Sequence, residues 1–586
     1  MYKRILIILT ILISFGCEDQ LDKQADFISE NVVFEDEALT EAYLAGLYNN
    51  MSFQIFGGFG NINIGMIAAA GAEHINFANW QTPNSTYRRQ YTAETGPGPL
   101  DRWPYFNIRN INILIRDMPN SVTLNESFKK EKIAEARFLR AYEYFELARR
   151  FGGVPLITVP QNTDDPEEEL FPARSNEKDI YDFIYNELEL AIPDLSETPT
   201  GAEGRIDKST ALMLQSRAML YAASIANFGE VKLNGIVGIP DGEAIAYYQK
   251  SYDASKAVIE SNLFSLYNKS ADKVQNFSSL FLDEGLGNPE IIFAERFEPF
   301  IKGHSLDWLA NPDGLGLEWN SNFPVLYDFA ELFDFTDGRT GKSINRGDLN
   351  ANNTWDINDF FGNRDPRFIA SIFYPETEWK GQKIYFHGST QLENGTVSTN
   401  RNLLITKPGT GEQLPAAAAA RNVRNTALLA RKRLDPSNTA TAELNSGQDF
   451  FVFRYAETLL NLAEAAYYLG RTDEALEAIN MVRERAGMPL RNSITEDNIR
   501  QERQVELAFE EQRYWDLIRW RIATDVLGNV RTKGLVFRYN LATDTYRITL
   551  KNAEGNIRQF GEERYYLPFG QNRLADNPNL IQNPGY

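Results

Sequence analysis

One cysteine, three histidines and no basic stripe set the first limits on this 586-residue chain. A lone cysteine excludes any internal disulfide. The histidines, at 74, 304 and 387, have neither zinc-site spacing nor the placing of a base beside a nucleophile. A formal net charge of −21 argues against a nucleic-acid partner, because binding a phosphate backbone rests on grouped cations. Beyond the first sixteen residues no apolar run is long enough to span a bilayer.

The opening residues are basic at Lys3 and Arg4, apolar from Ile5 to Ile13 and small at Gly16, which reads as a secretory signal over 1–16. Cys17 follows at once and resembles the lipid-acceptor cysteine of a bacterial lipoprotein. The mature chain is expected to start there, with 17–34 as a polar tether and lipid as its sole hold on a membrane. Hydrophobic residues make up 43% and aromatics 12% of the chain, ample for a large core. Rings in surplus also suit sugar-binding surfaces.

Apolar residues recur at steps of three and four through 451–489. Leu459, Leu462, Ala466 and Leu469 share one helix face, and Ala475, Ile479, Val482 and Ala486 share the next. Gly470 is placed to end the first helix in the left-handed conformation, Thr472 to cap the second, and Gly487 with Pro489 to close it. The same rhythm marks 35–50, 103–116, 128–150, 177–195, 209–226 and 243–261. Such a pair buries its apolar face only by stacking, so the fold class is mostly α, a tetratricopeptide-like scaffold of about four helical hairpins. An N-terminal scaffold over 35–262 carries a loop at 53–99. A mixed, irregular insertion covers 263–448, its alanines at 416–420 read as a helix start. The C-terminal part, 449–586, adds a helix over 495–521, a small β-hairpin over 536–550 and a tail.

Eight texts then carry a resemblance in order: Cys17 with LDKQADFI, DRWPYFNIRNINILI, ARFLRAYEYFELARRFGGVPL, RIDKSTALMLQSRAMLY, the run from Asp337 to Phe368 ending RDPRF, RYAETLLNLAEAAY, ERQVELAFEEQRYWDLIRW and NPNLIQNPGY. Together the chain resembles the SusD/RagB family of surface nutrient-binding lipoproteins over nearly its whole length. The resemblance implies an outer-membrane lipoprotein facing outward, partnered by a SusC-like TonB-dependent transporter, that captures oligosaccharide or peptide for import. Many members carry Gly after the Glu of ELAFE, where this chain has Glu511, read here as lying inside a helix where Gly would be costly.

Sugar capture needs flat rings and hydroxyl-binding amides or carboxylates. Glu73, Asn76, Trp80, Tyr87 and Arg88 supply that mixture in one loop, and the resemblance joins to it the insertion that carries Trp308 and Trp319. The competing reading for each Trp is core packing. No cofactor is required, but DLNANNTWDIND offers a structural calcium loop through Asp348, Asn350, Asn352, Asp356 and Asp359, with Asn353 at the place of the usual Gly; the competing reading is a solvated loop. Glu502, Glu506 and Glu510 keep helical spacing beside Arg503 and Arg513, which reads as an ion-paired packing helix rather than a glycosidase acid and base. The chain is therefore read as a non-enzymatic binder, against two alternatives, a protein-binding adaptor and a surface glycosidase.

Overall fold

The computed structural model describes residues 30–51, 53, 66–75, 91–315, 320–350, 352–419 and 425–586. Eight helices form the stack: α1 (Glu37–Asn49), α2 (Tyr105–Asp117), α3 (Glu126–Phe151), α4 (Glu177–Ala191), α5 (Lys208–Phe228), α6 (Ala244–Glu260), α7 (Tyr455–Tyr468) and α8 (Thr472–Ala486). From α2 onward each packs on the one before it, as the three-and-four spacing requires of hairpins that share their apolar faces. Small residues allow close approach at the α5, α6 and α7 junction. There Ser216 Oγ lies 2.8 Å from Ser255 Oγ and accepts from Asn461 Nδ2 at 2.9 Å. Gly470 and Gly487 take the left-handed conformation that ends α7 and α8, at φ +76° and +75°. Thr472 is not a cap: it is the first residue of α8 and Arg471 precedes it without a side-chain bond.

The chain leaves the stack at Glu260 and returns at Tyr455, although α6 and α7 are direct neighbours. The segment between them carries most of the strands: β1 (Ile291–Glu295), β2 (Thr354–Trp355), β3 (Thr377–Trp379), β4 (Gln382–Ile384), β5 (His387–Gln391), β6 (Val397–Ser398) and β7 (Phe450–Arg454). β1 and β7 pair antiparallel, and β7 runs straight into α7. The expected hairpin is β8 (Lys533–Asn540) with β9 (Thr545–Asn552). It does not stand alone, because β5 joins β8 in parallel to make a five-stranded sheet in the order β2, β9, β8, β5, β6. The alanines from 416 to 419 are not helical, and Ala418 and Ala419 donate instead to the carbonyl of His387 at 2.8 and 3.0 Å.

The expected long helix over 495–521 is two, α9 (Glu496–Glu506) and α10 (Arg513–Arg519). Thr495 caps α9 as expected, accepting from Asn498 N at 3.2 Å. Between the two, Phe509 and Glu511 hold φ of +60° and +62°. Glu511 thus stands in the left-handed region that favours Gly, not inside a helix. Side chains from distant parts of the chain hold this turn. Glu73 accepts from Phe509 N at 3.1 Å, Lys432 Nζ donates to Ala508 O at 2.9 Å, and Arg433 donates to Phe509 O at 2.9 Å.

Candidate functional site

The small residues of Ala68-Ala69-Ala70-Gly71 let the backbone press against α10, where a Cβ on Gly71 would stand 2.9 Å from Tyr514 N. This close approach fixes the stretch that follows. His74 bridges Val325, Ile75 N donates to Pro324 O at 2.9 Å, and Leu326 N donates to Glu73 O at 3.1 Å. On its other edge the same strand meets 428–430: Val325 N donates to Leu428 O at 3.0 Å, and Ala430 N to Phe323 O at 3.0 Å. The described residues just before 76, just after 319 and just after 424 therefore lie side by side in one short ladder.

Of the residues expected on a ligand face, Asn76, Trp80, Tyr87, Arg88 and Trp319 lie outside the described residues, as does Cys17. Glu73 is fully buried, and its carboxyl serves the Phe509 turn rather than solvent. Burial, only partly offset by Arg513 and the Phe509 N–H, pushes it up to about 8, so it is neutral at pH 7. His74 beside it is kept neutral by the same burial, pushed down to about 3. Trp308 sits in a five-residue helix, Leu306–Ala310, buried along its whole length. At 8% exposure its ring has no free face for a sugar.

A surface cavity of about 320 Å³ lies among residues 313–315, 382–386, Arg401 and 415–418. Asp313 to Leu315 line it just before 316–319, and Ala417 and Ala418 line it just before 420–424. Its far wall is β4 with Tyr385 and Phe386, and Arg401 closes one side. Arg401 pairs with Asp313 at 2.9 Å, and Tyr385 donates to Glu412 at 2.7 Å. Two rings (Tyr385, Phe386), an amide (Gln382), a carboxylate and two cations (Lys383, Arg401) thus converge on a volume near the lower end of small-ligand sites.

A family model described as the SusD family matches residues 289–586, just over half of the chain. The chain belongs to the SusD family. A second model, described as starch-binding associating with outer membrane, matches residues 19–220. A SusD-like protein of Bacteroides ovatus is 24% identical over 530 residues, spanning 88% of this chain and 82% of its own. The fold is similar to the crystal structure of a SusD-like protein from Bacteroides fragilis, at 23% identity and a TM-score of 0.72, over 95% of this chain and 99% of that one. It is also similar to a laminarin-binding SusD-like protein, at 21% identity and a TM-score of 0.60, over 94% of this chain and 100% of that one. Among the described residues of this SusD-family chain no helix is long and apolar enough to cross a membrane.

Several texts that carry the SusD likeness meet in space as one buried charge network. Glu506 accepts from Arg367 of RDPRF at 2.9 Å, from Arg454 of RYAET at 2.7 Å, and from Arg485. Glu502 pairs with Arg367 and Arg483, both at 2.7 Å, and Glu510 with Arg454 and Lys432 at 2.7 and 2.6 Å. Arg503, the expected partner of these acids, turns instead to Asp516 at 2.8 Å, and Arg513 donates to Gly71 O at 2.8 Å. The acids are thus structural, but their partners come from across the fold and not from their own helix.

The calcium text does not form one loop. Thr354 and Trp355 are strand β2 on β9, and Asp356 caps the helix Ile357–Phe361, accepting from Asn358 N at 2.8 Å. Strand and cap separate Asp348, Asn350 and Asn352 from Asp359, and among the described residues no group of three or more His, Cys, Asp or Glu is placed to hold a metal. The cavity residues Tyr385, Arg401 and Lys383 were not singled out from sequence. A signal was present in WKGQ at 379–382, a Lys-Gly pair between short alternating runs, which marks a tight hairpin.

Proposed function

We propose that this chain is a non-catalytic surface binder that captures oligosaccharide at the cavity between Asp313, Tyr385 and Arg401 and hands it to a TonB-dependent transporter, itself held at the outer membrane by lipid on Cys17. The cavity carries this reading: it combines aromatic rings with hydroxyl-binding groups of both signs. Glycoside hydrolysis needs two carboxyl groups flanking the bond. Among the described residues Asp313 is the single carboxylate lining the cavity, and it is ion-paired with Arg401. The family description and the glycan named for the laminarin-binding neighbour support carbohydrate as the ligand class.

Calorimetry of the mature chain against a panel of neutral oligosaccharides, with Tyr385→Ala and Trp319→Ala beside it, tests the site. Binding of at least one glycan class without release of products is expected, weakened at least tenfold in Tyr385→Ala. Product release would establish a glycosidase instead, and unchanged affinity in both variants would remove the face assigned here.

A further inference from the structure

The β3–β4 hairpin has a second cavity on its other side, of about 280 Å³, and its chemistry differs from the first. Its walls are largely apolar, from Phe277, Phe281, Trp379 and Leu434. Arg431 is set into that wall. Its guanidinium carbon lies 5.1 Å from the Trp379 ring and 5.4 Å from the Phe373 ring, and its one side-chain hydrogen bond goes to Ile369 O at 3.4 Å. Among the described residues it makes no ion pair. Its neighbours do not share this state: Lys432 is matched by Glu510 at 2.6 Å, and Arg433 donates to Phe509 O.

Two further observations point into the same space. Ser278 lines the cavity with a buried hydroxyl that has no partner among the described residues. Lys380 occupies the first turn position of the hairpin at φ +50°, ahead of Gly381 at +75°, a conformation that favours Asn or Gly. A long cation is therefore kept at a strained position on the rim, where its Nζ donates to Asn438 O at 2.5 Å. On a chain of net charge −21, a cavity lined by Lys380, Arg431 and Arg433 beside the Glu510-paired Lys432, with one acid, Glu378, is a local inversion of sign.

We infer that this cavity binds a sugar unit bearing an oxyanion, a carboxylate or a sulfate, held by the Arg431 fork and the Ser278 hydroxyl with the ring against the aromatic wall. Guanidinium matches planar oxyanions through two parallel N–H bonds, and a guanidinium stacked on rings is already oriented for them. The inference rests on the reading of the chain as a glycan binder and adds the charge class of the glycan.

Titration with three trisaccharides of equal length tests it: one of hexuronate, one of neutral sugars carrying sulfate esters, and one unsubstituted. At least one charged trisaccharide should bind tenfold or more tightly than the neutral one and lose that preference in Arg431→Gln. Arg431→Lys should restore part of it, Ser278→Ala should weaken it severalfold, and added salt should reduce it. Whichever charged sugar binds identifies the oxyanion. Equal affinity for charged and neutral sugars, or a preference that survives Arg431→Gln in a folded variant, overturns the inference and leaves the neutral-glycan reading standing. Failure of all three to bind removes both.

Discussion

Asp365 with Arg367 and Asp313 with Arg401 are the same two residue types at nearly the same separation, 2.7 and 2.9 Å. The first pair is buried, with side chains 1% and 2% exposed, and its arginine is shared with Glu502 and Glu506. The second stands 50% and 42% exposed at the mouth of a cavity. Taking charges out of water is tolerable only when each finds a partner, so the network around Glu506 is closed and has nothing to offer a ligand. The hairpin face keeps ion pairs that water screens, and a cation, Arg431, that makes no ion pair among the described residues. In this molecule architecture is read from buried ion pairs, and function from charged groups that line a cavity.

The largest effect should come from opening the closed region. Glu506→Gln leaves Arg367, Arg454 and Arg485 facing a neutral amide in a buried site, and should cost about 3–5 kcal/mol in denaturant unfolding. A loss below about 1 kcal/mol would show that these pairs are not the joint described. Burial alone would raise the Glu506 carboxyl, but Arg485, Arg454 and Arg367 outweigh it and hold it well below the ordinary value of 4.5. Its contribution is therefore present above 4.5 and lost as pH falls, and the variant should lack that acid limb.

Glu73 sharpens the contrast because it is a buried glutamate that bonds the turn after Glu506, with a shift of the opposite sign. Its folded value of about 8 lies above the ordinary 4.5, so the folded chain keeps a proton that the unfolded chain gives up. Stability should fall as pH rises from 4.5 to 8 and level beyond it. Glu73→Gln cannot titrate, and the difference between variant and parent should grow across that window by a few kcal/mol. A pH-independent difference would mean that Glu73 is ionised.

The same contrast explains what could be read from the sequence. Helix pairing was legible because Leu459, Leu462 and Ala466 repeat on one face, and Gly470 and Gly487 stand where left-handed ends are needed. The break between α9 and α10 was not, because the helical pattern runs through it. What stops the helix is Glu73, Lys432 and Arg433 taking its backbone groups from positions far away in sequence. Glu502, Glu506 and Glu510 announced a packing helix by spacing alone, but Arg367 and Arg485 as their partners are long-range facts. For Glu73 a local signal existed in the four small residues at 68–71, which bring the backbone inward. Trp308 had none, since a ring suited to a sugar is equally suited to a core. Arg431, Lys432 and Arg433 in a row on so acidic a chain were a visible clue to the second cavity.

The smallest effect on stability should come from the exposed pair, and it separates the two regions most directly. Arg401→Ala removes an ion pair that water and salt already screen, so unfolding free energy should change by about 0.5 kcal/mol or less. The same change deletes one of the two cations lining the first cavity and leaves Asp313 without its partner there. Affinity for the bound neutral glycan should fall severalfold while the unfolding transition stays in place. Glu506→Gln, compared at a temperature where it remains folded, should show the reverse pattern: a lowered transition with affinity retained. If Arg401→Ala instead unfolds as readily as Glu506→Gln, the face is part of the same closed core, and the distinction between buried ion pairs and cavity-lining charge fails.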